Sequence, residues 1–293
     1  MSKTTVFTGC GTAIVTPFNA DFSINYDALE RFVDYQIANG VKTIVACGTT
    51  GEAATLNDDE QISVIQCVVE RAKQQSATVI AGAGSNDTRH GVELSKRAAA
   101  TGADALLHVT PYYNKTSQRG LIEHFKAMAS AVDIPIILYA VPSRTGLAIA
   151  PETYVELSKI ENIVATKEAS GNFTAITTAM QLCGDELDFY SGNDDQAVAL
   201  MALGAKGLIS VLSNVEPAGT AEMCERALAG DFPAAAKLQK GYMPLINALF
   251  AEVNPIPVKA ACNLRGLEAG PCRLPLYELD DTKLSRLLAL LGE

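Results

Sequence analysis

Eight short apolar runs, rich in β-branched residues, recur along the chain with helical patterns between them. Each run is apolar throughout instead of alternating with polar residues, as is typical of parallel strands buried on both faces. The runs are Thr12–Thr16, Thr43–Ala46, Thr78–Ala81, Ala105–Thr110, Pro135–Tyr139, Ile163–Thr166, Leu187–Tyr190 and Gly207–Val211. Eight strand–helix units in succession predict an α/β fold, a (β/α)8 TIM barrel. An open doubly wound sheet is the alternative, because spacing alone does not establish closure.

The predicted helices have recognisable ends. Asn57 and Glu60 have the spacing of a capping box at the start of one helix. Pro151 fits the first position of a later helix. These signals place helices in the stretches between the apolar runs.

The strand signal stops near Gly230, and only helical patterns follow it. They cover Phe232–Phe250, Val258–Leu264 and Thr282–Leu291. We therefore expect residues 1–230 to form the barrel with its active site, and residues 231–293 to form a C-terminal helical extension packed on it.

Composition and charge narrow the choice of partners. Hydrophobic residues make up 48% of the chain and charged residues 19%, which is ordinary for a globular protein with a large core. The net charge is −10 and the positive residues are scattered, so the chain lacks the basic face that nucleic acid or an anionic membrane requires. A small anionic substrate stays compatible, since one well-placed arginine can bind a carboxylate.

Targeting and redox features favour the cytoplasm. No segment reaches the run of about 18 apolar residues that a membrane-spanning helix needs, and the first residues lack the apolar run and cleavage site of a secretory signal. The seven cysteines are odd in number and include no C-x-x-C pair, which is typical of buried thiols in a reducing compartment.

The active site of a barrel forms where strands end and the following loops begin. The segments at these positions are Gly48–Glu52, Pro111–Asn114, Tyr139–Gly146, Lys167–Asn172 and Ser191–Asp194. Together they bring hydroxyls, one lysine and one arginine to the same rim.

Lys167 is the strongest candidate for a nucleophile. It directly follows the run Ile163–Thr166, so its amine is expected at the barrel mouth beside apolar walls. Apolar surroundings favour a neutral amine, which is the form that attacks a ketone to give an iminium. The alternative is a lysine that extends from a strand end into water, and the neighbouring tyrosines and arginine favour the catalytic interpretation.

Three hydroxyls accompany this lysine. Tyr113, Tyr139 and Thr49 can each donate and accept a hydrogen bond. A chain of such groups can move protons during carbinolamine formation, dehydration and C–C bond formation without a histidine. Packing is the commoner role of a single tyrosine, whereas three hydroxyls at strand ends around one lysine favour a proton relay.

Two features could bind carboxylates. Arg144 lies in a loop that contains a proline and ends in glycine, and its guanidinium matches a carboxylate through two hydrogen bonds. Gly48 and Thr50 lie in a glycine-rich turn that could present N–H groups and a hydroxyl to a second carboxylate. Taken singly, the arginine could form a surface ion pair, and the turn could be only a tight loop.

Four segments together resemble the motif set of the dihydrodipicolinate synthases, which share a superfamily with N-acetylneuraminate lyase. They are Gly48-Thr49-Thr50-Gly51-Glu52, Pro111-Tyr112-Tyr113-Asn114, Tyr139-x-Val141-Pro142-Ser143-Arg144-Thr145-Gly146 and Lys167-Glu168-Ala169. The resemblance extends from about Thr8 through a last matching segment, Asn254-Pro255-Ile256-Pro257-Val258-Lys259, and the Arg144 motif favours the synthases over the neuraminate lyase.

The resemblance implies a reaction and a role for each site residue. Pyruvate, held as a Schiff base on Lys167, would condense with L-aspartate 4-semialdehyde in the diaminopimelate route of lysine biosynthesis. Tyr139, Thr49 and Tyr113 would form the proton relay, with Tyr113 crossing from a neighbouring subunit. The residues implied to bind substrate are Thr50, Gly48, Arg144, Gly192 and Ile209.

Further implications concern the assembly and the carboxylates. Thr50 with Gly48 would hold the carboxylate of pyruvate, and Arg144 would bind that of the aldehyde. The family is usually a homotetramer that uses no metal or organic cofactor, and the resemblance implies the same for this chain.

The sequence departs from the family pattern in two places. Ala140 stands where the motif commonly has asparagine, beside the site but outside the relay. The second departure is in the site where lysine inhibits some members. Asn86 and Tyr112 match that site, whereas Ala53, Asp58, Gln61 and His90 match it poorly or not at all. We therefore expect weak or absent inhibition by lysine.

Other functions stay open at this stage. A sister aldolase or lyase, such as a sugar-acid or N-acetylneuraminate lyase, would use the same iminium on another aldehyde. A non-catalytic sensor of keto acids would not need the relay. A metal-dependent hydrolase needs clustered histidines and carboxylates, whereas His90, His108 and His124 lie on separate segments.

Glu168, next to Lys167, is a poor candidate for a general base. Adjacent strand residues point to opposite faces, so the Glu168 side chain should lie outside the lumen.

Overall fold

Eight parallel strands close into a barrel in the computed structural model, which describes residues 3–292. The strands are β1 (Gly9–Ala13), β2 (Thr43–Ala46), β3 (Thr78–Gly82), β4 (Ala105–Val109), β5 (Ile136–Ala140), β6 (Ile163–Glu168), β7 (Asp188–Ser191) and β8 (Gly207–Ser210). Each pairs with the next, and Gly11 of β1 lies opposite both Thr43 of β2 and Ile209 of β8. The predicted (β/α)8 barrel is therefore confirmed, and the open sheet is excluded.

Twelve helices accompany these strands within residues 3–292. They are α1 (Tyr26–Ala38), α2 (Asp58–Lys73), α3 (Thr88–Ala100), α4 (Gln118–Ala129), α5 (Pro142–Thr145), α6 (Pro151–Ser158), α7 (Phe173–Cys183), α8 (Ala197–Ala202), α9 (Pro217–Leu228), α10 (Phe232–Leu249), α11 (Ile256–Leu264) and α12 (Asp281–Leu291). The last three follow the barrel, and α10 packs on α8, α9 and α12. The three helical segments expected there are present, while the division into barrel and extension stays a prediction. Among these helices, none is long and apolar enough to cross a membrane.

The start of β1 differs from the prediction of a strand at Thr12–Thr16. The strand begins three residues earlier, at Gly9. The prediction followed β-branched residues, whereas close approach of the chain requires small ones at this point. A Cβ on Gly207 would lie 2.0 Å from the main-chain oxygen of Gly9, and one on Gly11 would lie 3.2 Å from the ring of Phe7. Close packing between β1 and β8, where the barrel closes, therefore decides where β1 begins.

The two predicted helix starts are confirmed. The Asn57 side chain accepts a hydrogen bond from the Glu60 N–H, and the Glu60 carboxylate accepts one from the Asn57 N–H. Pro151 occupies the first turn of α6, where its missing N–H costs nothing. The capping box fixes the start of α2 and hence the length of the loop between β2 and that helix.

The core has an inner layer inside the barrel and an outer layer between strands and helices. Two stacked aromatic rings fill part of the inner layer. Phe7, just before β1, stacks on Tyr190 of β7 with ring centroids 4.3 Å apart, and the Tyr190 hydroxyl donates to the Phe7 carbonyl at 2.6 Å. The polar residues of the lumen gather toward the carboxyl end.

Candidate active site

Lys167 points into the barrel lumen from within β6, not from a position directly after the strand. Its register partners are Tyr139 on β5 and Tyr190 on β7, which both belong to the inner layer. Only 5% of Lys167 is exposed, and its Nζ lies 4.4 Å from the centroid of the Tyr139 ring. A buried amine beside a phenol is an arrangement suited to covalent attack with proton transfer.

Glu168 lies on the other face of β6, as the strand alternation predicts. Its Oε1 accepts a hydrogen bond from the Tyr154 hydroxyl at 2.7 Å, and its Oε2 accepts two from Ser170. Burial and the Glu168 charge raise the pKa of Tyr154 well above its usual range. The expectation that Glu168 pairs outside the lumen is confirmed.

Gly192 and Ile209 line the space around the lysine. A Cβ on Gly192 would lie 3.0 Å from Lys167 Cε and 2.9 Å from the Ala169 Cβ. Ile209 on β8 is fully buried in the same inner layer as Tyr139. Because Gly192 has no side chain, the side chain of Lys167 fits beside it without a steric clash.

The three predicted relay hydroxyls occupy different environments. Tyr139 is 7% exposed beside the lysine, and Thr49 is half-buried after β2. Tyr113 is 92% exposed in the loop after β4, with a left-handed backbone at φ 69°. Within residues 3–292, no hydrogen bond joins these hydroxyls to one another. One chain thus brings Tyr139 to Lys167, while Tyr113 projects away from the barrel.

Left-handed backbone conformations recur at the barrel mouth. Cys47 and Glu52, on either side of the turn after β2, have φ values of 53° and 54°. Such a conformation costs a non-glycine residue about 1–2 kcal/mol, so surrounding contacts must hold it in place. The loop that carries Thr49 and Thr50 is therefore fixed by its neighbours.

A buried ion pair supplies much of that support. Lys259 of α11 donates to the Glu52 carboxylate at 2.8 Å, and both side chains are almost fully buried. Lys259 also donates to the carbonyls of Thr16 and Pro271, and Glu52 accepts from the Arg273 N–H. Burial lowers the pKa of Lys259, and the Glu52 charge opposes that shift. These bonds attach the loop after β2 to the C-terminal segment.

The two predicted carboxylate-binding groups meet at one residue that the sequence interpretation did not single out. Asn254 donates through Nδ2 to the buried Thr50 hydroxyl at 3.0 Å, and its carbonyl accepts from Arg144 Nη2 at 3.1 Å. Gly48 faces open space, since an added Cβ would meet nothing within 4 Å. The only sequence signal for Asn254 was its place at the start of the last matching segment, which ends at Lys259.

Asp194 is a second residue that the sequence interpretation missed as a structural support. Its buried carboxylate accepts from the Ser210 hydroxyl at 2.5 Å and from the N–H groups of Val211 and Leu212. Burial raises the pKa of Asp194, and these hydrogen bonds oppose the shift. The contacts join the ends of β7 and β8, and so fix the backbone around Gly192.

Two shallow concavities lie elsewhere, on the outer helices. One of 460 Å³ lies between α9 and α10, and one of 430 Å³ lies between α1 and α2. Neither adjoins the carboxyl ends of the strands. The group of polar residues around Lys167 is thus the better candidate for an active site.

The site consists of a buried lysine inside a closed barrel, with an arginine and hydroxyls on the rim. Comparison with known protein families agrees with this arrangement. The model of the dihydrodipicolinate synthetase family matches residues 6–293. This chain belongs to that family.

Relatives and solved structures of the family cover nearly the whole chain. A 4-hydroxy-tetrahydrodipicolinate synthase from Caldicellulosiruptor saccharolyticus is 53% identical, and one from Acetivibrio thermocellus 51%. Each alignment covers 94% of this chain and 93% of the relative. A chloride-inhibited dihydrodipicolinate synthase from Acinetobacter baumannii, complexed with pyruvate, has a TM-score of 0.94 at 42% identity. That alignment covers 98% of this chain and 99% of the other.

Proposed function

We propose that this chain is a Schiff-base-forming lyase that condenses pyruvate with L-aspartate 4-semialdehyde. This is the reaction of the 4-hydroxy-tetrahydrodipicolinate synthases that match over more than nine-tenths of its length. The observation that carries the proposal is Lys167, buried in the lumen with its amine 4.4 Å from the Tyr139 ring centroid. The product belongs to the diaminopimelate route of lysine biosynthesis.

The chemistry begins when the Lys167 amine attacks C2 of pyruvate. The carbinolamine loses water to give an iminium, and loss of a proton from C3 gives an enamine. The enamine carbon attacks the aldehyde carbon of the second substrate, and the new alkoxide takes up a proton. The amino group of the adduct then attacks the iminium carbon, which closes the ring and releases the lysine.

Proton transfers accompany these steps, and in this proposal they use the hydroxyl of Tyr139, whose ring centroid lies 4.4 Å from Lys167 Nζ. Thr49 and Tyr113 complete the relay in this proposal. Because Tyr113 is 92% exposed, its ring is available to enter the site of a second copy of the chain. This supports a homo-oligomer, for which we propose the homotetramer.

In this proposal, residues at the carboxyl ends of the strands bind pyruvate. Thr50 and Gly48 hold the carboxylate of pyruvate, while Gly192 and Ile209 line the pocket around its reacting carbon. The protonated iminium is itself the electron sink, so the proposed chemistry calls for neither a metal nor an organic cofactor. That independence stays a prediction. We also propose a cytoplasmic location, which is supported by the seven free cysteines.

Arg144→Ala is expected to raise the KM for aspartate 4-semialdehyde by roughly 10- to 100-fold, the value of a charge-assisted hydrogen bond. Labelling of Lys167 by pyruvate and borohydride should be unchanged, because it needs no aldehyde. The exposed Arg119 of α4 provides the control, and Arg119→Ala should leave both quantities unaffected. If the aldehyde KM of Arg144→Ala equals that of the wild type, Arg144 does not bind this substrate.

Inhibition by lysine is expected to be weak or absent, and hydrogen bonds within the protein support this expectation. His90 Nε2 lies 3.0 Å from the Asp58 carboxylate, and the buried Gln61 donates to the Gly82 carbonyl at 2.8 Å. These side chains are engaged by the protein and leave few groups for an amino-acid ligand. Initial rates measured across a lysine titration check this, and sub-millimolar inhibition would show it to be wrong.

The main alternative is a sister aldolase that uses the same iminium on a sugar aldehyde. The deciding experiment couples product formation to NADPH oxidation by an added dihydrodipicolinate reductase. Turnover with aspartate 4-semialdehyde supports the synthase. If pyruvate-dependent turnover occurs only with the sugar aldehyde of N-acetylneuraminate lyase, the chain is the sister aldolase and not the synthase.

A further inference from the structure

Asn254 connects the two ends of the candidate site from a buried position just before α11. Its side chain reaches Thr50 in the loop after β2, and its main-chain carbonyl reaches Arg144 in α5. Thr50 and Arg144 are the groups proposed for the carboxylates of the two different substrates. A single residue therefore contacts both carboxylate-binding positions.

The direction of the hydrogen bond to Thr50 has a chemical consequence. A threonine hydroxyl has one proton to donate and lone pairs that accept. Because the Asn254 amide nitrogen donates to Thr50 Oγ1 at 3.0 Å, the hydroxyl uses a lone pair there and keeps its own proton. That proton is therefore available to an acceptor such as the carboxylate of pyruvate.

The other polar atom of the Asn254 side chain is unpaired. Its Oδ1 is buried and has no hydrogen-bond partner within the described part of the chain. An unpaired buried oxygen costs about 1–3 kcal/mol, and such groups call for a functional explanation. The donor bond to Thr50 is the one hydrogen bond that this amide makes within residues 3–292.

The segment that carries Asn254 is held in place by the ion pair described above. Lys259 on α11 bonds to Glu52, just as Asn254 bonds to Thr50 in the same loop. The two segments are thus joined at two points, one polar and one ionic. This double attachment gives Asn254 the fixed position that orienting a hydroxyl requires.

We propose that Asn254 is a positioning residue that orients the Thr50 hydroxyl toward the pyruvate carboxylate through its amide, and holds Arg144 through its carbonyl. This inference rests on the proposed function for the identity of the substrates. Only the first link uses the side chain. Substitution at position 254 should therefore weaken the binding of pyruvate and leave the binding of aspartate 4-semialdehyde nearly unchanged.

The test is Asn254→Ala, with pyruvate binding measured as the concentration that half-saturates borohydride labelling of Lys167. We expect that concentration to rise about tenfold, and the KM for aspartate 4-semialdehyde to stay within about twofold. In a Thr50→Val background, Asn254→Ala should add less than about twofold, because the hydroxyl it orients is gone. Loss of a merely structural residue would lower the active fraction and leave the half-saturating concentration unchanged.

Asn263→Ala is the matched control, since this exposed asparagine of α11 bonds to Gly270, away from the site. If Asn254→Ala does not fold, Asn254→Leu keeps the side-chain volume and removes the donor. Equal effects of Asn254→Ala in the wild-type and Thr50→Val backgrounds, or no change in pyruvate binding, would overturn the proposal. A wild type that labels with pyruvate but does not turn over the aldehyde rejects the proposed function alone, because the labelling test needs no second substrate.

Discussion

Lys167→Met lowers the turnover of pyruvate with aspartate 4-semialdehyde by a factor on the order of 10⁴ or more, because no other group supplies the covalent nucleophile. Methionine fills nearly the same volume in the lumen beside Tyr139, so the variant should fold normally. The measurement is the initial rate in the coupled NADPH assay, with folding checked by circular dichroism.

The control for this substitution is Lys159→Met. Lys159 is exposed at the end of α6, where it pairs with Glu156. Its replacement should leave the rate unchanged. A Lys167→Met enzyme that retains a tenth of the wild-type rate would show that catalysis does not pass through this amine.

Lys259→Met is expected to have the largest effect on stability. It leaves the Glu52 carboxylate buried without its partner, and removes the donor to the carbonyls of Thr16 and Pro271. Breaking a buried pair from one side typically costs about 3–5 kcal/mol. Equilibrium unfolding in urea should therefore show a much lower midpoint for this variant than for the wild type.

Two further variants make this prediction specific. Lys283→Met, which breaks partly exposed pairs with Glu252 and Asp280, should change the midpoint little. Combining Glu52→Gln with Lys259→Met removes the unpaired charge, and should destabilise less than the sum of the two single changes. A midpoint for Lys259→Met equal to that of Lys283→Met would mean that the pair does not hold the loop.

The fold and most of the rim could be predicted because they depend on local patterns. A run of buried β-branched residues identifies a strand, and closure of a barrel brings all strand ends to one side. This is why Lys167 and Tyr139 could be placed together from the sequence. The predicted start of β1 was wrong, because the contact between Gly9 of β1 and Gly207 of β8 depends on close packing. Such packing leaves no local signal in the sequence.

The supports of the site could not be predicted, because they join distant parts of the chain. Asn254 and Thr50 are 204 positions apart, and Lys259 and Glu52 are 207 positions apart. No periodicity or spacing rule relates such pairs. Asp194 raised a similar difficulty, since an acidic residue after a strand resembles a solvent-exposed group until Ser210 and the N–H groups beyond it are in view.

The central claim is that Lys167 forms a Schiff base with pyruvate, and reductive trapping tests it most directly. The wild-type protein would be incubated with pyruvate and borohydride, digested, and mapped by mass spectrometry. The predicted result is one reduced pyruvyl adduct per chain, located on Lys167 and dependent on both reagents. An unmodified Lys167, or an adduct spread over exposed lysines, would contradict the account.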